Sequence, residues 1–180
     1  MKIYFNKKPI SGPWGGGNSF VSEMSSFLSG LGHSVVFSLE EHLDIIFIMD
    51  PRKTEEFSFK DILNYKSKNP FVKIIHRIND TDKARPYAPP VRDELFLEVN
   101  KHTDYTIFIS EWVKKYFSEK GFNTDESSVI INGCSSKFYY PKDNELTSPI
   151  KMITHHWSDG PMKGFDVYNF LDTALIGQSV

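Results

Sequence analysis

The sequence predicts an α/β protein built on a doubly wound, mostly parallel sheet. Two observations lead there. Short unbroken apolar runs, such as Ile45-Ile46-Phe47-Ile48-Met49, alternate with segments whose apolar residues recur at helical spacing. Runs of that kind are apolar on both sides, as strands covered by helices on both faces must be. The second observation is the first turn of the chain. A strand, Lys2-Ile3-Tyr4-Phe5, leads into Ser11-Gly12-Pro13-Trp14-Gly15-Gly16-Gly17-Asn18-Ser19-Phe20 and then into a helix.

The elements follow in order. Phe20, Val21, Met24, Phe27, Leu28 and Leu31 form one predicted helix face, and Gly30-Leu31-Gly32 ends it. Ser34–Ser38 is the second strand and Leu43–Met49 the third, closed by Asp50-Pro51. Phe59–Tyr65 is a helix that stops before Pro70, and Phe71–Ile78 is the fourth strand, ending at Asn79-Asp80. Thr81–Pro90 holds three prolines and alternating charge, and reads as a loop. Val91–His102 is a helix with Leu95, Phe96 and Val99 inward. Asp104–Ile109 is the fifth strand. Ser110-Glu111 leads into a helix carrying Trp112, Val113, Tyr116 and Phe117, ended by Gly121. Val129-Ile130-Ile131 is the sixth strand, before Asn132-Gly133-Cys134. Tyr140–Pro149 reads as a linker, Ile150–Thr154 as one more strand and Phe165–Leu171 as a helix.

Composition narrows the function classes. The 180 residues suit one domain and part of another, and 39% hydrophobic content with 15 Phe, 8 Tyr and 3 Trp supports a packed core. A net charge of −2 gives no footprint for nucleic acid. The single cysteine, Cys134, excludes an internal disulfide and a cysteine-based zinc site, which fits a reducing, cytoplasmic setting. Met1–Lys8 lacks the apolar core of a secretory signal, and no aliphatic run is long enough to span a bilayer.

Ligands of such sheets bind beyond the carboxyl ends of the strands, where the strand order reverses. With the order 3-2-1-4-5-6, the reversal sets the glycine turn against the end of strand 4, His76 to Asp80. Consecutive glycines bring a ligand close to the backbone, and the helix start behind them favours a phosphate or another anion. A triple glycine also serves as a plain helix-capping turn. His76 reads equally as a core histidine; Arg77 suits a phosphate or carboxylate, or a pair with Asp80. Asp80-Thr81-Asp82 has the form of a metal-binding pair but lacks further ligands, and reads as a solvated loop. His155 and His156 point to opposite faces of an extended strand, against a shared metal. Lys83, Arg85 and Arg92 form a wet loop or receive an anionic acceptor. A dinucleotide fingerprint is half met: Gly15-x-Gly17 fits and Glu40 lies near the end of strand 2, but Phe20 occupies the third glycine position. No Gly-Lys-Ser/Thr follows, so a P-loop is excluded.

Five segments taken together resemble the group 1 (family 4) glycosyltransferases of the GT-B fold. They are Gly15-Gly16-Gly17-Asn18-Ser19-Phe20, Ile74–Asp80, Thr106–Ser110, Val129–Gly133 with Phe138 and Pro141, and Met162-Lys163-Gly164-Phe165-Asp166. The resemblance implies a Rossmann-like acceptor-side domain over 1–141, a linker over 142–149 and the start of a second Rossmann-like domain over 150–180. It implies transfer of a sugar from a nucleotide-sugar donor to a saccharide or lipid-linked acceptor, with retention and with neither cofactor nor metal. Gly15, Gly16, Gly17, Asn18, Lys163 and Gly164 would hold the donor. Asn79 and Asp80 would stand near the transferred sugar, where the family often has His. His76, Arg77, Arg85, Ser110, Glu111, Asn132 and Gly133 would line the acceptor cleft. The arginine that often precedes the Lys-Gly pair is replaced by the region of His155, His156 and Trp157. The family's donor-binding lysine and Glu-x7-Glu motif have no counterpart before Val180, so the 180 residues alone are expected to be inactive. A peripheral membrane contact and a dimer through the C-terminal segment are compatible with this reading. A non-catalytic binding or assembly module, and a dinucleotide-dependent enzyme, are the alternatives.

Overall fold

The structure is a computed structural model that describes residues 1–12, 14–85, 89–134, 136, 140 and 163–175. The chain divides into two compact units, Met1–Asn132 and Gly133–Val180. The first holds a six-stranded, all-parallel sheet: β1 (Lys2–Phe5), β2 (Ser34–Val36), β3 (Ile45–Ile48), β4 (Lys73–Ile78), β5 (Tyr105–Phe108) and β6 (Ser127–Val129). Its helices are α1 (Gly15–Gly30), α2 (Phe59–Lys68), α3 (Arg92–Asn100) and α4 (Glu111–Glu119). In the second unit the described helix is α5 (Phe165–Leu175). The expected linker and the strand at 150–154 lie outside the described residues.

The fold class is the one the sequence predicts, a Rossmann-like doubly wound sheet. The strand order is not. It is β2-β1-β3-β4-β5-β6, with β3 inserted between β1 and β4. Ile3 pairs with both Val35 and Ile45, and Phe47 pairs with Ile75. Two aspartates tie neighbouring strands together. Asp44, just before β3, exchanges backbone bonds with Lys2 and Lys73 and accepts the Lys2 amide on its carboxylate at 2.6 Å. Asp104, just before β5, accepts from the Ile74 amide and from Lys66 and Lys73.

Handedness then distributes the helices. The β1-α1-β2 crossover moves one way along the sheet and the β3-to-β6 crossovers move the other way. Right-handed connections therefore put α1 on one face and α2, α3 and α4 on the opposite one. Alternate strand residues follow suit. Ile3, Phe5 and Phe47 pack with Phe20, Val21, Met24 and Leu28 of α1. Tyr4, Ile46, Ile48 and Ile74 pack with Ile62 of α2 and Val99 of α3, and Ile78 and Phe108 with Phe96, Val113 and Phe117.

Helix boundaries follow local chemistry. Ser58 and Ser110 cap α2 and α4 with their hydroxyl oxygens, accepting from Lys60 and Val113. Gly121, at φ +90°, ends α4, and the Phe122 amide returns to the Phe117 carbonyl while their rings meet at 5.2 Å. Two expectations about α1 need correction. The glycines form its first turn rather than a loop ahead of it. Also, Phe27 and Leu31 are exposed, since the buried stripe centres on Asn18, Val21 and Leu28 and the predicted apolar face is wider than the contact.

Candidate functional site

The strand order moves the reversal point to the crevice between β1 and β3. The residues just past those strands are Asn6, Lys7, Asp50 and Arg52, and they line a cleft of about 440 Å³ with Lys53, Thr54 and Phe57. Asn6 holds its floor together. Its Oδ1 accepts from the Met49 amide at 2.7 Å and its Nδ2 donates to the Asp50 carbonyl at 2.5 Å. Arg52 grips Asp50 through Nε and Nη2. Burial alone would raise the Asp50 carboxyl, but the Arg52 hydrogen bonds and the charges of Arg52 and Lys7 outweigh it and hold the pKa below the ordinary value. Sequence reasoning missed these four residues because it placed the reversal at β4. The signal was present in the first polar residues after the unbroken third run.

The glycine turn opens onto this end of the sheet. Gly15 stands at φ +74°, which a side chain resists. A Cβ at Gly16 would meet nothing within 4 Å, and one at Gly17 would lie 3.6 Å from the Lys7 ammonium. The start of α1 has no side-chain cap and no acidic residue in its first turn. Asn18 is turned inward instead, and its amide exchanges two 2.8 Å hydrogen bonds with the backbone of Ile10. The structure thus commits the polar atoms of Asn18 to shaping the turn, whereas the start of α1 carries no side-chain cap and has the Lys7 ammonium beside Gly17.

The other helix starts are occupied from within. Asp82 accepts from the amides of Arg92 and Asp93 at 3.0–3.2 Å, and Asp93 returns the bond to the Asp82 amide at 2.9 Å. Asp80 accepts from Arg85 Nε at 2.5 Å and lies 3.7 Å from Arg92. The expected solvated loop at 80–82 is therefore a built ion network, with Asp80, Asp82 and Arg92 side chains mostly covered. Burial again works against the Asp93 carboxyl, and Tyr116, the Asp82 amide and Lys120 overcome it, lowering its pKa. Among the described residues no group of three or more His, Cys, Asp or Glu is placed to hold a metal ion.

The end of β4 presents two adjacent side chains to opposite faces. His76 is fully buried on the α3 side, edge-on to Phe96 at 5.2 Å, and neither ring nitrogen has a partner. Burial pushes its pKa down to about 3, against only a weak pull from Asp50, so the ring is neutral. Arg77 is 4% exposed on the α1 side. Its guanidinium lies 4.1 Å over the Phe20 ring, and Nη2 donates to Asn132 Oδ1 at 2.7 Å. Nη1 is buried without a partner. Of the two readings of Arg77, the pair with Asp80 does not form: Asp80 is held by Arg85 and lies near Arg92. Among the described residues Arg77 is thus a buried cation with no carboxylate beside it.

The remaining predicted residues are placed as follows. Asn79 is exposed just past β4. Ser110 spends its hydroxyl on the α4 cap, and Glu111 is exposed beside it. Arg85 is held by Asp80. Asn132 holds Arg77. Gly133 is exposed at the beginning of the second unit. In that unit Lys163 and Gly164, the latter at φ +77°, precede α5, whose Tyr168 amide bonds back to the Gly164 carbonyl. His155, His156, Trp157, Phe138, Pro141 and Met162 lie outside the described residues. Glu40 forms a surface ion pair with Lys2 at 2.6 Å. Among the described residues no helix is long and apolar enough to cross a membrane. Comparison with protein-family models, with curated proteins and with solved structures found no match to this chain.

Proposed function

We propose that this chain is the acceptor-side part of a GT-B glycosyltransferase, cytoplasmic and acting on a nucleotide-sugar donor and a sugar or lipid-linked acceptor. The observation that carries this reading is the start of α1. Three glycine amides lie there with no acid in the first turn, no side-chain cap and Lys7 alongside, at the carboxyl edge of a parallel sheet. That arrangement suits a diphosphate, since the amides and the helix dipole favour negative charge and glycine lets the phosphates reach the backbone.

Catalysis in this reading is electrostatic. The bond from the sugar carbon to the donor phosphate oxygen breaks as the acceptor hydroxyl oxygen bonds to that carbon, and the hydroxyl proton passes to the departing phosphate oxygen. Charge gathers on the departing diphosphate, where oriented amides and a lysine stabilise it. Asn79, exposed at the end of β4, would hydrogen-bond a sugar hydroxyl. The segment resemblance at five places in the right order supports the same reading.

The test is calorimetric titration of the 180-residue chain with a panel of nucleoside diphosphates and their sugars. Gly16 offers clean variants because a side chain there enters open space. Gly16→Ala should bind like the parent. Gly16→Asp should lose about tenfold or more in affinity, equivalent to about 1.4 kcal/mol. Equal binding by both variants would remove the diphosphate from α1. Binding in the absence of transfer to any acceptor, once the natural protein is assayed whole, would favour the assembly-module alternative.

A further inference from the structure

We propose that Arg77 is the seat of a second anion site, separate from the glycine turn, which receives a phosphate or carboxylate carried by the acceptor. The identification of its occupant as the acceptor rests on the glycosyl-transfer reading; the site itself rests on geometry.

Arg77 is the penultimate residue of β4 and is almost wholly withdrawn from solvent. Its plane is fixed from two directions, by the Phe20 ring 4.1 Å away and by Asn132 at 2.7 Å. Both partners are neutral. Nη1 is left with nothing to donate to, and among the described residues no carboxylate pairs with the guanidinium. The contrast with its neighbours is direct, since Arg52, Arg85 and Arg92 each lie within 4 Å of a carboxylate oxygen. A planar fork held flat on an aromatic ring is ordered for bidentate recognition of a carboxylate or phosphate before that group arrives.

The site is distinct from the α1 start. The two draw on different groups, backbone amides at the start of α1 and a guanidinium of β4 seated beside Phe20, the sixth residue of α1. The two partners that cover the guanidinium are themselves near the surface, Phe20 half-buried and Asn132 exposed. The resulting order of groups along the edge is diphosphate at the glycines, then the reacting sugar, then the anion of the acceptor at Arg77. The acceptor class that fits is a phosphorylated or carboxylated sugar or lipid headgroup rather than a neutral glycan.

Asn132 provides the decisive variant. Asn132→Asp is isosteric and sets a carboxylate against Arg77 where the amide oxygen now lies. Melting temperature is measured on the full chain in inorganic phosphate against chloride at equal ionic strength, with a nucleoside diphosphate titrated separately. Phosphate at about a hundred times its Kd should raise the parent melting temperature by roughly 5 °C or more. Asn132→Asp should melt higher without phosphate and lose the phosphate response, and Arg77→Gln, if folded, should lose the response as well. Both should still bind the nucleoside diphosphate. No phosphate effect in the parent, or an undiminished effect in Asn132→Asp, overturns the site. Loss of phosphate and nucleoside diphosphate together overturns its separateness, assigning Arg77 to the donor. A phosphate response that follows the variants while no nucleoside diphosphate binds the parent sustains the anion site and overturns only its assignment to a glycosyl acceptor.

Discussion

The two faces of the sheet at the end of β4 treat charge in opposite ways. On the α3 face the protein supplies its own anions. Asp82 closes the start of α3, Asp80 and Asp82 neutralise Arg92, and the histidine that points inward stays uncharged against Phe96. On the α1 face, among the described residues, neither the start of α1 nor Arg77 is given a carboxylate partner of its own. The start of α1 is uncapped, Lys7 lies beside it, and Arg77 is buried with neutral partners only. Neighbouring residues of one strand thus belong to a closed structural face and to an electrostatically open one. The lesson is that a helix start or a buried arginine says little in isolation. Its meaning comes from whether the rest of the chain has already answered its charge.

That comparison can be broken most strongly by acid. His76 has a folded-state pKa of about 3 and an ordinary value near 6.5. The folded state therefore binds fewer protons than the unfolded state, and the neutral ring's contribution is complete above pH 6.5. It is lost as pH falls from there towards 3, at about 1.4 kcal/mol per unit. Urea unfolding at pH 7 and pH 4.5 should differ by about 3 kcal/mol from this source, and His76→Leu should remove that part of the slope. A slope unchanged in His76→Leu would mean that the closed face is not closed to protons.

A smaller effect comes from taking away the anion that α3 makes for itself. Asp82→Ala strands two amides and uncovers Arg92, and should cost about 2–3 kcal/mol in denaturant unfolding. Added phosphate should restore part of that loss, turning the start of α3 into an analogue of the start of α1. At the glycine turn the effects are smaller still, and of opposite sign at neighbouring positions. Gly15→Ala forces a side chain onto φ +74° and should cost about 1 kcal/mol. Gly16→Ala enters open space within a helix and should add about 0.5–1 kcal/mol of stability. If Gly16→Ala destabilised the fold, the first turn of α1 would not be the helix described above.

Most of the architecture was legible from local pattern. Unbroken runs such as Ile45–Met49 require cover on both faces, and serines ahead of Phe59 and Glu111 mark helix starts through the hydrogen bonds they offer. The anion-seeking character of the glycine turn was legible too, because glycine, strand and helix stand next to one another in the chain. The roles of Asn18 and Asp82 were not. Each reads as a polar loop or ligand residue, and only the partner it meets, Ile10 or the start of α3, turns it into a structural device.

What the amino-acid sequence determined by itself, then, was the class of sheet, the run of its elements and the position of a glycine-led helix start, all properties of residues a few positions apart. Strand order was decided only in three dimensions. Whether β3 lies beside β1 or beyond β2 depends on pairings across about 40 residues, and Asp44 secures the insertion through Lys2 and Lys73, which no local spacing encodes. The same is true of Arg77. Its sequence neighbours include His76 and Asp80, yet its environment is Phe20 and Asn132, more than 50 residues away on either side, and the pleat of β4 turns it from the acids nearby.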